Sequence, residues 1–222
     1  MSQNIKQIIQ QQYTMCAKDP VFFMRQYCYI QHPKRGKIKF NLYPFQEDTL
    51  TELRDNRYNV ILKSRQLGIS TLSAGFALWS MLFKEDFNVL VIATTQEVAK
   101  NLVTKVRVMH DNLPSWLKGN IEADNKLSLK FKNGSQIKAV SSATTGARSE
   151  ALSLLIIDEA AFIRNIEEIW IASQATLSTG GGAIVLSTPN GVGNWFHQTW
   201  AEAEAEINGF HTIKLNWELH PE

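Results

Sequence analysis

Four uninterrupted apolar runs constrain the fold of this chain more than any other feature of its sequence. They read NVILK (residues 59–63), FNVLVIATT (87–95), LSLLIIDEA (152–160) and GAIVLSTPN (182–190), and each ends in polar residues. Strands that are apolar on both faces are typical of a parallel sheet covered by helices on either side. Helix-like segments separate the runs, so we predict an α/β domain with a mainly parallel sheet flanked by helices. Ligands bind such sheets at the carboxyl ends of the strands, where these polar residues stand.

Composition sets broad limits on the class of protein. The chain has 222 residues, 44% of them hydrophobic and 20% charged, which is ordinary for a globular domain with a buried core. A net charge of +2 neither establishes nor excludes a local basic patch for nucleic acid. Two cysteines, Cys16 and Cys28, predict no disulfide framework and no zinc site. The N-terminus lacks the apolar core of a secretory signal, and no stretch is long enough to span a membrane, so we expect a soluble intracellular protein.

The remaining segments predict further helices and strands around the four runs. Residues 1–30 are expected to form an amphipathic helix, and residues 32–40 a basic turn that leads into an extended segment. Asn133 and Gly134 lie between two alternating strands within residues 126–142, a pattern typical of a β-hairpin. Three helices, beginning after Pro44 and spanning residues 71–83 and about 96–110, and a last strand at 211–217 complete the prediction.

The stretch KSRQLGIST, residues 63–71, lies between a predicted strand and a predicted helix. Backbone N–H groups and the helix dipole at such a turn suit the phosphates of a nucleotide. Ser70 falls where a hydroxyl would coordinate Mg²⁺ in a Walker A loop, but Ile69 follows Gly68 where that pattern has lysine. Considered alone, the stretch fits a phosphate-binding loop and an ordinary strand–helix turn about equally well.

The stretch LLIIDEAAF has the Walker B pattern of an apolar strand followed by two acids. Asp158 would hold Mg²⁺ through water, and Glu159 would polarise the attacking water. The alternative is a strand that ends in two solvated acids at a helix N-terminus. Because the phosphate loop is expected on a neighbouring buried strand, we favour the ATPase interpretation.

The stretch VLSTPNG, residues 185–191, ends another predicted strand. Ser187 and Thr188 could form hydrogen bonds with both a γ-phosphate and Glu159, as a sensor of hydrolysis would. Without the other two motifs, the Pro-Asn-Gly sequence that follows would indicate only a turn.

SRQLGIST, LLIIDEAAFI and LSTPNG together resemble the N-terminal ATPase domain of the tailed-bacteriophage large terminases, over residues 40–220. The resemblance implies an additional-strand (ASCE) P-loop NTPase fold with a β-hairpin insertion and an N-terminal helical segment. It implies a lead-in at residues 1–40 and an ATPase domain at 41–222. The nuclease domain that follows in the family is expected to be absent, so we predict no DNA cleavage from this chain.

The resemblance also assigns roles outside the three motifs. LYPFQ is similar to the family's adenine-recognition segment, so Gln46 could read the adenine edge while Tyr43 or Phe45 packs on the ring. A core contact at the start of a helix explains these residues nearly as well. Arg148 stands where the family has an arginine that reaches the γ-phosphate, from its own or a neighbouring subunit; a surface arginine in a polar loop is the alternative.

This chain departs from most of the family at Ile69, where lysine is usual. Some members instead carry a lysine at the start of the loop, which Lys63 matches, and Arg65 is a second candidate for the phosphate-binding cation. We expect a rearranged but active loop, because Ser70, Asp158 and Glu159 are all present. The other residues predicted to bind nucleotide are Ser64, Gln66, Leu67, Gly68, Ile69, Thr71 and Asn190.

The implied function is Mg²⁺-dependent ATP hydrolysis that drives double-stranded DNA into a procapsid, in the host cell cytoplasm. Implied partners are DNA bound without sequence preference, a portal protein, a small terminase subunit and further copies of the chain in a ring, with the isolated domain a monomer and no membrane involved. Candidate DNA contacts, which could equally be solvated charges, are Lys34, Arg35, Lys37, Lys39, Lys126, Lys130, Lys132 and Lys138. Two alternatives stay open: a superfamily 2 helicase-like ATPase domain, and an assembly module with an inactive loop.

Overall fold

The chain folds into an eight-stranded sheet with helices on both faces and a separate two-stranded hairpin near its start. The computed structural model describes residues 3–32, 34–141 and 151–220. Helices are α1 Gln3–Lys18, α2 Pro20–Tyr27, α3 Pro44–Asp55, α4 Ile69–Phe83, α5 Gln96–Asp111, α6 Ile166–Leu177 and α7 Trp195–Glu204. Strands are β1 Tyr29–His32, β2 Gly36–Lys39, β3 Tyr58–Lys63, β4 Asn88–Ala93, β5 Ile121–Asn125, β6 Ser128–Phe131, β7 Gln136–Ser141, β8 Leu154–Asp158, β9 Gly182–Ser187 and β10 His211–Leu215. In the described part of the chain, no helix has the length and apolar character needed to cross a membrane.

The strand order of the large sheet is β10-β3-β9-β8-β4-β7-β6-β5. The strands from β10 to β7 are parallel, and β6 and β5 follow as antiparallel additions at one edge. The mainly parallel sheet and the hairpin insertion predicted from the sequence are therefore confirmed. The expectation that the loop strand and the Asp158 strand are neighbours was wrong, because β9 pairs with both β3 and β8 and lies between them.

Alternate residues of the central strands face two separate apolar cores. In β8, Leu154 and Ile156 belong to the core that contains α2, α4 and α5, whereas Leu155 and Ile157 belong to the core that contains α6 and α7. All four side chains are buried. This two-sided burial is the physical reason that the strand reads as an unbroken apolar run, as parallel sheets require.

The N-terminal region contains two helices rather than the single helix predicted over residues 1–30. The break lies at Asp19 and Pro20: the Asp19 side chain accepts a hydrogen bond from the N–H of Val21 at 2.9 Å and so caps α2. Proline at the first position of α2 lacks an N–H and cannot continue α1. The basic segment after α2 forms the β1–β2 hairpin rather than a turn with one extended segment.

Strand β5 was not predicted, and its sequence explains why. All five of its residues are exposed, so it lacks the apolar alternation that marks a half-buried strand. Its position is stabilised by a tertiary contact instead, because Arg107 of α5 donates two hydrogen bonds to Asp124 at 2.7 and 2.9 Å.

The start of β9 allows a direct test of the packing that inserts this strand between its neighbours. A Cβ atom on Gly181 would lie 2.1 Å from the backbone oxygen of Leu152. We therefore expect Gly181→Ala to lower the free energy of unfolding by about 1–3 kcal/mol, the usual cost of overpacking. Urea denaturation measures this change, and Thr179→Ala, at an exposed neighbouring position, is the control. Equal stability of the two variants would contradict the close approach of these backbones.

Candidate nucleotide-binding site

The loop at residues 64–68 joins the end of β3 to the start of α4. Gly68 has a φ of +73° and Gln66 a φ of +66°, and these left-handed conformations turn the chain sharply into the helix. Ile69 is only 1% exposed and packs in the apolar core. The helix therefore begins at residue 69, two residues before its predicted start, and the position that usually carries lysine faces the protein interior.

Gln46 of α3 fixes the loop from behind. Its Nε2 donates to the carbonyl of Leu67 at 2.9 Å, and its Oε1 accepts from the N–H of Tyr43 at 3.1 Å. The side chain is buried and lies so close to Gly68 that a Cβ there would be 2.9 Å from its Nε2. Gln46 thus supports the loop, and it could contact an adenine only with its second amide hydrogen and its second lone pair. Its role in adenine recognition stays a prediction.

Lys63 and Glu159 form an ion pair at the carboxyl edge of the sheet. The Lys63 Nζ lies 2.7 Å from Glu159 Oε1, although the two residues are 96 positions apart in the sequence. The Lys63 side chain is only 8% exposed and that of Glu159 is 31% exposed, so water screens the pair less than it would a surface contact. The structure therefore brings together two residues that the sequence assigned to separate motifs.

Glu159 is held on its other oxygen by the end of β9. The N–H and the hydroxyl of Thr188 each donate to Glu159 Oε2 at 3.3 Å, whereas the Ser187 hydroxyl is 3.5 Å away and donates to the Thr188 carbonyl at 2.8 Å. Burial alone would raise the pKa of Glu159, but the hydrogen bond and charge of Lys63, with the bonds from Thr188, lower it below its ordinary value. The backbone of Glu159 is left-handed, with a φ of +55°, which is a strained conformation for this residue type.

Asp158 is the last residue of β8 and lies beneath the start of α4. It is 6% exposed, and burial raises its pKa; Glu159 adds to that effect, while a hydrogen bond from Ser70 and the charges of Lys63 and Lys105 oppose it. Its Oδ1 is buried and has no hydrogen-bond partner among the residues that the structure describes. A bound cation would satisfy this oxygen, so Asp158 and the Ser70 hydroxyl fit the Mg²⁺ site predicted from the sequence.

Lys105 of α5 is a site residue that the sequence did not predict. Burial lowers its pKa, and the charges of Asp158 and Lys63 also act on it, which places its ammonium group near both. It lies in an amphipathic helix of ordinary composition, with no glycine loop or acidic pair beside it. Nothing in the sequence separates Lys105 from the other basic residues of that helix.

A cavity of about 430 Å³ opens beside the loop, between it and the β1–β2 hairpin. Gln66, Leu67 and Gly68 form one side, and Tyr43 closes an end, where its ring stacks on Phe45 with 5.7 Å between centroids. Other residues that line the cavity are Ile30, His32, Arg35, Lys39, Asn41 and His220. Its volume and its mixed lining suit the base and ribose of a nucleotide whose phosphates lie over the loop.

Other predicted residues lie apart from this cluster or outside the described chain. Arg65 is exposed on the loop. The Asn190 amide donates to the carbonyl of Ala161 at 3.0 Å, so it joins the loop after β9 to the segment that follows Glu159. Arg148 lies outside the described residues. Of the candidate DNA contacts, Lys130 pairs with Glu122 at 2.9 Å, whereas Arg35 and Lys39 line the nucleoside-sized cavity.

A self-contained metal site is not part of this arrangement. Within residues 3–32, 34–141 and 151–220, no group of three or more His, Cys, Asp or Glu side chains is placed to hold a metal ion. Mg²⁺ commonly binds through one or two protein oxygens and completes its shell with waters and substrate phosphates. The single buried carboxylate and neighbouring hydroxyl match that mode of binding.

Comparison with solved structures identifies the fold. The large terminase ATPase domain of Thermus phage P74-26 aligns with a TM-score of 0.65 and 21% identity, over 81% of this chain and 83% of that one. The HK97 bacteriophage large terminase aligns with a TM-score of 0.71 and 16% identity, over 90% of this chain and 43% of that one. A large terminase from a thermophilic bacteriophage, solved with ATP-gamma-S, gives 0.60 and 16%, over 82% and 46%. The additional-strand P-loop NTPase fold is therefore confirmed, in a chain that spans less than half the length of the last two proteins.

The sequence itself also matches a family profile. The family described as the terminase large subunit, T4likevirus-type, N-terminal, matches residues 60–219. That range begins within β3 and includes the loop, the Asp158–Glu159 pair and the Ser187–Thr188 pair. The chain therefore belongs to the T4likevirus-type terminase large-subunit family, whose N-terminal region it contains.

Proposed function

We propose that this domain hydrolyses ATP with Mg²⁺ and that hydrolysis drives double-stranded DNA into a procapsid. One observation carries the proposal: a buried Asp158 oxygen without a partner in the described chain lies next to a Glu159 carboxylate that Lys63 and Thr188 hold in place, all beside the glycine loop. The large terminase of the thermophilic bacteriophage has been solved with ADP and with ATP-gamma-S, which supports binding of the same ligands here.

Lys63 is placed to exchange one anion for another. In the nucleotide-free site its ammonium is bound to Glu159 Oε1. A phosphate over the loop would compete for this cation, because both partners are anionic oxygens within reach of a side chain about 6 Å long. When Lys63 moves to phosphate, Glu159 Oε1 is freed to accept a proton from water while Thr188 still positions Oε2. Nucleotide binding would therefore activate the general base.

Mg²⁺, held by Asp158 and the Ser70 hydroxyl, would neutralise phosphate charge in the transition state. The domain's own residues do the rest of the work. Loop N–H groups at the start of α4 orient the phosphates, Glu159 takes the proton from water, and the β1–β2 hairpin encloses the nucleoside. Arg148 would complete the site from its own or a neighbouring subunit, and Asn190 would transmit the state of Glu159 to the adjoining loop.

DNA, a portal protein, a small terminase subunit and further copies of the chain are the partners that this proposal requires, in the host cytoplasm. The descriptions of the related structures as large terminases support the packaging role. Basic residues of the β5–β6–β7 edge remain candidates for contact with DNA phosphates. Contacts of this kind weaken steeply as salt concentration rises.

Replacing the proposed general base tests the reaction. We expect Glu159→Gln to lower kcat for Mg²⁺-dependent ATP hydrolysis by about 100- to 10,000-fold, the usual contribution of a general base. Nucleotide affinity should be retained, since Lys63 no longer has a charged competitor for the phosphates. Glu168→Gln, on an exposed position of α6, is the matched control. A wild-type rate no higher than that of Glu159→Gln, with DNA and portal present, would rule out the catalytic proposal.

The Lys63–Glu159 pair predicts a pH dependence. Because Lys63 lowers the pKa of Glu159, the carboxylate stabilises the folded state above its ordinary pKa, and this stabilisation is lost as pH falls through the lowered value. In Lys63→Met we expect the Glu159 pKa to rise, measured by ¹³C NMR of the carboxyl group. An unchanged Glu159 pKa would show that the pair does not form in solution.

Asp158 predicts the opposite sign. Since burial raises its pKa, keeping Asp158 ionised costs stability above that pKa, and the cost disappears at low pH, where the carboxyl is protonated in both states. Asp158→Asn should therefore raise the melting temperature of the nucleotide-free domain by a few degrees at neutral pH and abolish hydrolysis. Scanning calorimetry from pH 4 to pH 8 tests this, and a difference that does not shrink at low pH would contradict the assignment.

A further inference from the structure

Lys105 is a half-buried cation near the base of the loop that the proposed reaction does not yet use. Its ammonium group forms no hydrogen bond or ion pair that joins it to the described parts of the chain, whereas Lys100, one turn earlier on α5, pairs with Glu97 at 3.1 Å. Holding a lysine partly buried without a close partner is unfavourable. Such a position is typical of a group that acquires an anionic partner on ligand binding.

Asp158 lies between Lys105 and a second cation. The charges of Lys63 and Lys105 both act on Asp158, and Asp158 and Lys63 both act on Lys105. Lys63 reaches this point from the end of β3, and Lys105 reaches it from α5. The two ammonium groups therefore approach the metal-site carboxylate from different structural elements.

A cavity connects Lys105 to the nucleotide site. Lys105 lines a space of about 330 Å³ together with Thr71 of α4 and Gln31 of β1. Thr71 and Gln31 also line the 430 Å³ cavity beside the loop. Since the two cavities share these residues, they meet at the first turn of α4, immediately after the Ser70 hydroxyl. A phosphate chain over this turn is within the neighbourhood of the Lys105 side chain.

The loop itself lacks a cation at its usual place. Ile69 occupies that position and is buried in the apolar core, so no side chain at residue 69 can reach a phosphate. An ATP–Mg²⁺ complex still carries net negative charge, and Lys63 must also serve Glu159. A second cation from outside the loop would supply the missing charge.

We propose that Lys105 is a phosphate-binding residue of this site, which contacts the nucleotide's phosphate chain from α5 and takes over part of the role of the absent lysine at position 69. This inference rests on the proposed ATPase function. Its chemistry is charge-assisted hydrogen bonding to a di- or triphosphate, and it predicts no contribution to binding of the base or ribose.

Lys105→Met tests this directly, because it keeps the length of the apolar stem and removes the charge. We expect the Kd for ADP and for ATP-gamma-S, measured by calorimetry with Mg²⁺, to rise about 10- to 100-fold, as loss of a charged hydrogen bond does. Binding of adenosine should not change. Lys105→Arg should restore most of the affinity, and Lys100→Met, an equal change on the same helix, should behave as wild type.

The melting temperature of the nucleotide-free domain separates this role from a structural one. If Lys105 binds phosphate, Lys105→Met removes an unpaired, partly buried charge, so the melting temperature should stay equal or rise while nucleotide affinity falls. If Lys105 serves only to balance Asp158, the melting temperature should fall with affinity unchanged, and that result would overturn the inference. A wild-type domain that binds neither nucleotide would refute the proposed function as well, whereas equal binding by wild type and Lys105→Met would refute this inference alone.

Discussion

The contact between Lys63 and Glu159 is the interaction on which the rest of the site depends. It joins the end of β3 to the residue after β8, across a sheet in which β9 separates those strands. A partly buried ion pair costs desolvation energy, and it persists only where further hydrogen bonds satisfy its members. Thr188, at the end of β9, supplies those bonds. The strand inserted between the two motifs is therefore also what holds the carboxylate in place.

Opposed electrostatic demands explain why two adjacent acids can have different roles. Asp158 is buried with an oxygen that lacks a partner in the described chain, so its pKa is raised and its charge requires a cation. Glu159 receives the Lys63 ammonium and two bonds from Thr188, so its pKa is lowered and it stays ionised. One carboxylate is thus suited to hold a metal ion and the other to accept a proton. Burial and hydrogen bonding, rather than residue type, produce this difference.

Much of this arrangement could be predicted from the sequence, because parallel strands buried on both faces leave unbroken apolar runs. The runs placed Lys63, Asp158 and Ser187 at one edge of the sheet, where the structure has them. Strand order was not predictable, since an apolar run carries no information about which neighbour it pairs with, and β9 took the place expected for β3. Lys105 could not be predicted either, because its position depends on how α5 packs against α4. Tertiary packing, rather than local sequence, creates that part of the site.

Buried Ile69 turns an apparent defect of the loop into a specific claim about where the positive charge comes from. The account states that Lys63 exchanges Glu159 for phosphate when a nucleotide binds. A crystal structure of the domain with ATP-gamma-S and Mg²⁺ tests this most directly, through the distance from Lys63 Nζ to the nearest phosphate oxygen. The account predicts a hydrogen-bonding distance of about 2.7–3.0 Å, with Glu159 Oε1 released from Lys63. A structure in which Lys63 stays on Glu159 while Arg65 alone contacts the phosphates would contradict it.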